Sequence, residues 1–260
     1  MTVPSPVAPR VDVALLPPDV RALVETLAAL PGAVAVVLGG SRATGEPDPA
    51  SDWDLAVYYR GGITLDALAA YGEVHPPGAW GRIMNGGAWL RVGDVEVDVI
   101  LRDLDVVAYW TAQAMHGVFE LDALLGYLAG IPTYSLAAEL ASGRVLVGEL
   151  PVVGAMPSKL VDLAPPRWRF ARDFSLEYAR MHARRGNSAG ALGQAAKAAM
   201  EEAHARVCAR GRWTLNEKRL LAEAGLDAVG EAFASRPASA SGLVAWVDVL
   251  ARGLANSSRS

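Results

Sequence analysis

Residues 33–38, AVAVVL, form an unbroken apolar run, and DWDLAVYY follows at 52–59. Both have the length and β-branched or aromatic content of strands, the first buried on both faces. Between them, GGSRATGEPDPAS is turn chemistry throughout. Upstream, DVRALVETLAAL (19–30) repeats at the helical period, with Asp19 as cap and Pro31-Gly32 as stop. Downstream, TLDALAAYG predicts a short helix. AWLRV and VEVDVIL (95–101), separated by Gly93-Asp94, predict a β-hairpin. Two glycines in NGGAW (85–89) precede the strand entering that hairpin, which suits a bulge or the close approach of a ligand.

Beyond residue 101 helical periods replace strand patterns. They cover DLDVVAYWTAQAMHG, YSLAAELA, about 159–185 and about 188–210, with shorter pieces near 216–224 and 240–254. RVLVG (144–148) reads as a stray strand. The fold class predicted is α+β, with strands and helices first and an all-α bundle second. Residues 1–18, with five prolines, read as a loose N-terminal arm, 19–150 as the first domain (sheet core 33–101) and 151–260 as the helical domain. The linker is placed at Pro151 to Pro166, which holds four prolines, and the tail ANSSRS as frayed.

Composition narrows the partners. In 260 residues, 52% are apolar, and 24 basic against 28 acidic residues leave a net charge of −4. That balance weighs against a broad nucleic-acid surface. All but three of the basic residues are arginine. The single cysteine, Cys208, excludes an intramolecular disulfide framework and a cysteine-rich zinc site. No apolar run approaches the ~18–20 residues that span a bilayer, and MTVPSPVAPR lacks the pattern of a signal peptide. A soluble, cytoplasmic protein without membrane partners is expected.

Chemistry concentrates around Gly39-Gly40-Ser41, Gly45 and Ser51-Asp52-Trp53-Asp54-Leu55. On a strand, positions i and i+2 share a face, so Asp52 and Asp54 stand side by side. Two like charges that close repel and call for a cation; Mg²⁺ is often held by one or two carboxylates plus substrate phosphates. Gly39-Gly40 follows a buried strand, and Ser41 opens a short helix, which brings backbone N–H groups and a hydroxyl to a phosphate. Arg42 offers a further cation. Asp98, flanked by Val97 and Val99, is costly in an apolar strand unless paired or bound to metal. It completes the cluster if its strand pairs with 52–59; Glu96 shares its face and is the alternative. Taken singly, Gly-Gly-Ser is a common turn and Asp52 suits a strand-start cap. The ordered set points to metal-assisted phosphoryl or nucleotidyl transfer.

Gly39-Gly40-Ser41, Ser51-Asp52-Trp53-Asp54 and Asp98 resemble the signature of the DNA polymerase β-type nucleotidyltransferase superfamily. The layout is similar to its small antibiotic-modifying members, such as kanamycin, streptomycin and lincosamide nucleotidyltransferases. The resemblance covers about 34–101 and implies a mixed-sheet catalytic domain followed by a helical one. It implies that Ser41 contacts nucleotide phosphate, that Asp52 and Asp54 bind two Mg²⁺ ions, and that Asp98 serves as third ligand or as base. The implied reaction moves a nucleoside monophosphate, AMP from ATP first among them, to a hydroxyl of a small molecule such as an aminoglycoside or lincosamide, with release of pyrophosphate. Two alternatives stay open: adenylylation of a protein or RNA partner, as in antitoxin-like members, and a catalytically inactive nucleotide-binding protein.

In the helical half, RWRFARDFSLEYARMHARR (167–185) holds six arginines. Arg169, Arg172, Arg180 and Arg184 fall within about 120° of arc, either as a solvated stripe or as a clamp for a triphosphate or acidic acceptor. Lys197, amid small residues, is a surface lysine or a phosphate contact. Glu177, Glu201 and Glu202 are candidate bases beside Asp98, or surface charges. Trp53, Trp80 and Trp89 suit either core packing or stacking on a ring. His75, His116, His182 and His204 show no metal-ligand spacing and receive no role, and Cys208 packs as a small apolar residue. Leu243 and Trp246 are compatible with a homodimer.

Overall fold

A computed structural model describes residues 8–45, 51–237 and 239–256. The predicted turn at 46–50, the first seven residues of the predicted arm and the tail from 257 lie outside them. The chain divides into two compact units. One runs up to residue 112 and includes 133–154; the other comprises 113–132 and 155 onward.

The first unit begins with α1 (Pro18–Ala28), β1 (Ala33–Leu38), α2 (Gly40–Thr44) and β2 (Trp53–Tyr59). It continues through β3 (Gly72–His75), α3 (Gly81–Met84), β4 (Gly87–Val92) and β5 (Val95–Asp103) into α4 (Leu104–Met115), whose last residues fall in the second unit. The short pair β6 (Leu121–Asp122) and β7 (Ile131–Pro132) belongs to the second unit. The chain then returns for α5 (Ser135–Ser142) and β8 (Arg144–Gly148). The main sheet runs β3-β4-β5-β2-β1-β8. It is mixed: β2 and β5 are parallel, and the other neighbours are antiparallel.

Alternation decides which face is buried. Leu55 and Val57 of β2, Val97, Val99 and Leu101 of β5, and Ala88 and Leu90 of β4 point to one side. There they meet Val20, Leu23, Val24 and Leu27 of α1 in a single core. Each valine or leucine among them contributes about 1.5–3 kcal/mol on burial. A one-residue slip of β2 or β5 would drive Asp54 or Asp98 into that core, so the apolar positions also fix the register of the polar ones.

The other face is covered at one end. Tyr58 and Arg102 are register partners there. Arg102, 1% exposed, grips Glu139 of α5 through Nε at 2.5 Å and Nη2 at 2.6 Å, and donates to the Met84 carbonyl at 2.9 Å. Burial first, and Glu139 second, pushes the Tyr58 hydroxyl above its ordinary value. At the other end the same strands present Asp54 and Asp98.

Several local expectations change. Pro17 occupies the N-cap of α1 with Pro18 at its first position, and Asp19 stands in the first turn, not at the cap. The segment preceding α1 is not loose throughout. The Val145 amide donates to Pro9 O (2.8 Å), the Val11 amide donates to Val145 O (3.1 Å), and Leu16 is buried. This strap occupies the free edge of β8. β8 itself joins the main sheet beside β1 and is not a stray strand. TLDALAAYG forms only a single 3₁₀ turn, Asp66–Leu68.

In the second unit, α6 (Ser158–Arg184) and α7 (Ser188–Ala209) lie against one another. The unit adds α8 (Leu220–Glu223), α9 (Ala228–Ala234) and α10 (Ala240–Asn256). Ala179, Ala183, Ala191, Ala195, Ala198 and Ala203 form the seam, with Leu243, Trp246, Val247 and Leu250 of α10 completing the core. Pro165 and Pro166 lie inside α6, so the predicted linker overran the helix start. Each proline removes one intrahelical donor. Among the described residues, no helix is long and apolar enough to cross a membrane.

Candidate active site

The last residue of β1 leads directly into the glycine pair. The Gly39 amide donates to Asp54 O at 2.8 Å, which extends the β1–β2 ladder by one rung. From Asp54 a row of register partners crosses the sheet: Asp98 on β5, Trp89 on β4 and Glu73 on β3. Cross-strand partners share a face, so the four side chains stand together on the side away from the core.

Gly40 is built into this arrangement. Its φ is +60°, and a Cβ there would lie 1.7 Å from Asp54 Oδ2 and 2.6 Å from its Cγ. Only glycine lets the turn close over that carboxylate. Gly45, at φ +83°, ends α2 in the left-handed conformation. Arg42 braces the incoming strand: Nη2 donates to Ser51 O at 2.6 Å and Nε to Asp52 O at 3.3 Å. Its guanidinium lies 4.5 Å from the centre of the Trp53 ring.

Asp52 lies one residue before β2, is exposed, and is tied at its backbone by Arg42. Asp54 and Asp98 are brought together by the parallel pairing. Among the described residues, no group of three or more His, Cys, Asp or Glu side chains is gathered to hold a metal ion. Of the three tryptophans, Trp53 packs against the core, and the Trp80 ring closes over Gly87, where a Cβ would lie 2.5 Å from it. Trp89 is 51% exposed, with ring centres of His75 at 4.7 Å and Trp80 at 5.4 Å. Glu73 and His75 were not picked out from sequence as site residues. Their strand, GEVH, is too short for alternation to speak, and only pairing with β4 reveals it.

Residues 20–107 match the nucleotidyltransferase domain. The match covers α1 through β5 and into α4, the part of the chain that carries the glycine turn and the acidic pair. It supports a transferase role in general terms. No curated protein matches the sequence. Among solved structures, a nucleotidyltransferase-like protein from Exiguobacterium sibiricum 255-15 shares 12% identity over 90% of this chain and 74% of its own, at a TM-score of 0.41.

The candidate residues of the helical unit are mostly engaged. Glu202 is fully buried and is no surface charge: Arg172 bonds it through Nη1, Arg206 Nε donates to it at 3.0 Å, and Arg169 Nε lies 3.7 Å away. Arg180 bonds Asp248 at 2.7 Å. Arg169, Arg172 and Arg180 are therefore carboxylate-paired, not a solvated stripe. Glu201 is buried too, and desolvation raises its pKa above the usual carboxylate value. Lys197 lies 3.8 Å from it. Glu177, exposed, lies 3.7 Å from Arg180. His204 is buried flat against Trp168, ring centres 4.2 Å apart.

Proposed function

We propose that this protein is a nucleotidyltransferase that moves a nucleoside monophosphate, AMP from ATP in the first instance, to a hydroxyl of a small-molecule acceptor in the cytoplasm. The observation that carries the reading is the parallel pairing of Asp54 with Asp98 beneath a turn that only glycine fits. Adjacent carboxylates beside a backbone cradle are the donor set for a hard divalent ion that completes its shell with phosphate oxygens. Asp52, Asp54 and Asp98 would hold Mg²⁺, two ions by the superfamily resemblance, whose chemistry is to neutralise charge on the phosphoryl group in transfer.

The chain's own residues do the rest by positioning. The Gly39-Gly40-Ser41 backbone and the Ser41 hydroxyl receive the β- and γ-phosphates. Arg42 holds the strand that carries Asp52 and Asp54 at its proper height. The acceptor oxygen attacks the α-phosphorus, the bond from α-phosphorus to the bridging oxygen breaks, and pyrophosphate leaves. The hydroxyl proton passes to the Asp98 carboxylate. Asp98 is favoured as the proton acceptor over Glu201 and Glu202, because the first is buried beside Lys197 and the second is buried and held by arginines. Lys197 is a further proposed phosphate contact, and a homodimer is compatible with this reading.

Pyrophosphate release from each nucleoside triphosphate, with Mg²⁺ and a panel of aminoglycosides and lincosamides, tests the proposal. Release from the wild type that disappears in Asp54→Asn, with an unchanged circular dichroism spectrum, is the expected result. Equal turnover in that variant, or the failure of the wild type to bind any triphosphate in calorimetry, overturns it.

A further inference from the structure

Helix α6 carries more apolar surface than its own unit covers. At about 100° per residue, Leu163, Phe170, Phe174 and Tyr178 fall within about 80° of arc. Leu176, Ala179 and Ala183 take the opposite side of the helix into the core. The outward four keep 50%, 73%, 58% and 43% of their surface exposed. The rings of Phe174 and Tyr178 lie 5.1 Å apart, so these side chains form a packed ridge. Arg167 shares the face but is turned aside: it bonds the Phe119 carbonyl and lies 4.3 Å from the centre of that ring. An aromatic side chain offers about 150–250 Å², so the three rings leave on the order of 350 Å² open to water. A contiguous apolar patch of that size marks a contact site.

The two ends of the ridge carry opposite charge. Asp162 precedes Leu163, and Arg184 closes the helix beyond Tyr178. Both are exposed, and among the described residues neither meets an opposite charge. The 22 positions between them amount to six turns and about 40°, which leaves them on one flank of the ridge. The carboxylates nearer the middle are already answered: Asp173 by Arg172 at 2.8 Å, Glu177 by Arg180 at 3.7 Å. A two-fold axis at Phe174 would lay an antiparallel copy of the helix on the first, like flank to like flank, with the ends reversed. Phe170 then faces Tyr178, and Phe174 faces its own counterpart. Asp162 comes within two residues, about 3 Å along the axis, of Arg184 in the second copy. Symmetry forms that pair twice. The ridge is therefore its own complement.

We infer that the outer face of α6 is a docking surface for a second copy of this chain, packed antiparallel on the same face and locked at both ends by Asp162 and Arg184. Leu243 and Trp246, expected from sequence at such a surface, instead fill the core of their own unit. Two ridges together remove about 700 Å² of aromatic surface, more than half of the ~1,200 Å² at which specific interfaces begin. Leu163, Met181 and the stems of the flanking charges supply the remainder. The inference stands apart from the transferase reading, since none of these residues belongs to the proposed catalytic machinery.

Sedimentation equilibrium of the full chain from about 1 to about 100 μM reads the association directly. A dimer is expected within that range, and Phe174→Asp should be monomeric throughout with an unchanged circular dichroism spectrum. Asp162→Arg and Arg184→Asp each place like charges together twice, and each should raise the dissociation constant about fivefold or more. The double exchange, Asp162→Arg with Arg184→Asp, should restore it to within about threefold of the wild type. A wild type that stays monomeric throughout, or a dimer indifferent to Phe174→Asp, overturns the inference. A dimer that the double exchange fails to restore overturns the antiparallel arrangement. Pyrophosphate release, measured where the wild type is monomeric, separates another occupant: its loss in Phe174→Asp under those conditions assigns the ridge to a substrate and overturns the docking of a second copy.

Discussion

Gly40 and Asp54 are fitted to one another so closely that a methyl group on the first would lie 1.7 Å from Oδ2 of the second. The two residues are fourteen positions apart in sequence. They meet because the Gly39 amide continues the β1–β2 ladder onto the Asp54 carbonyl at 2.8 Å. The glycine turn and the acidic strand are thus one structural object.

Gly40→Ala separates that fit from backbone strain. An alanine at φ +60° costs roughly 1–2 kcal/mol in any setting. Gly45, at φ +83°, carries the same strain, yet its Cβ would meet nothing within 4 Å. Both variants are expected to lose similar stability in thermal melts, but only Gly40→Ala should lose pyrophosphate release, by about 100-fold, since the carboxylate must move. Equal activity in the two would show that the turn does not position Asp54.

Asp98→Asn probes the other member of the pair against a control on the same hairpin. Asp94 sits in the two-residue turn that joins β4 to β5 and is exposed. Loss of several kcal/mol of transition-state stabilisation, about 100-fold or more in kcat, is expected for Asp98→Asn and none for Asp94→Asn. Parity between them would remove Asp98 from the machinery.

Much of the first unit was legible because its physics is local. Alternation in VEVDVIL assigned Val97 and Val99 to one face and left Asp98 on the other, and the observed core agrees. The step from SDWDL to a paired strand needed only the rule that an aspartate between valines must answer to something. What stayed hidden depended on partners far away in the chain. GEVH becomes a strand only when β4 lies beside it, and RVLVG joins the sheet only because β1 has a free edge. Glu201 and Glu202 look like ordinary helix-surface charges until α6 brings Arg172 and Ser175 against α7. Prolines 165 and 166 mark a linker by composition, whereas tertiary packing carries the helix through them.

Glu202 offers a test of that last kind of burial. Its carboxylate is held by Arg172 and Arg206, and Arg206 also donates to Leu254 O at 2.8 Å, tying in the end of α10. Removing one partner of a buried ion pair leaves uncompensated charge, at a cost of about 3 kcal/mol or more. Glu202→Gln is expected to lower the unfolding free energy by that amount, read from the shift in denaturation midpoint. Glu177→Gln, at an exposed site 3.7 Å from Arg180, should stay within about 0.5 kcal/mol of wild type. Similar midpoints for the two variants would mean that Glu202 is dispensable to the helical unit.

His204 sets an acid limit on stability. Burial lowers its pKa from 6.5 to about 3, and neither ring nitrogen has a hydrogen-bond partner. In the native state the ring therefore stays neutral well below pH 6, while in the unfolded chain it takes up a proton below 6.5. Its contribution is fully present above pH 6.5 and is lost as pH falls toward 3, with a slope of up to about 1.4 kcal/mol per pH unit. Glu201, whose pKa is raised, works in the opposite sense: its contribution is present below 4.5 and fades as pH rises through the native value. Between pH 7 and 5 the histidine dominates the acid-side change, amounting to about 2 kcal/mol. His204→Phe keeps a flat ring against Trp168, 4.2 Å from it in the wild type, and removes the titration. Its denaturation midpoint is expected to fall less between pH 7 and 5 than that of the wild type, by an amount worth about 2 kcal/mol. Identical acid sensitivity in the two proteins would show that His204 is protonated in the folded state, and with it that the stack on Trp168 opens to water.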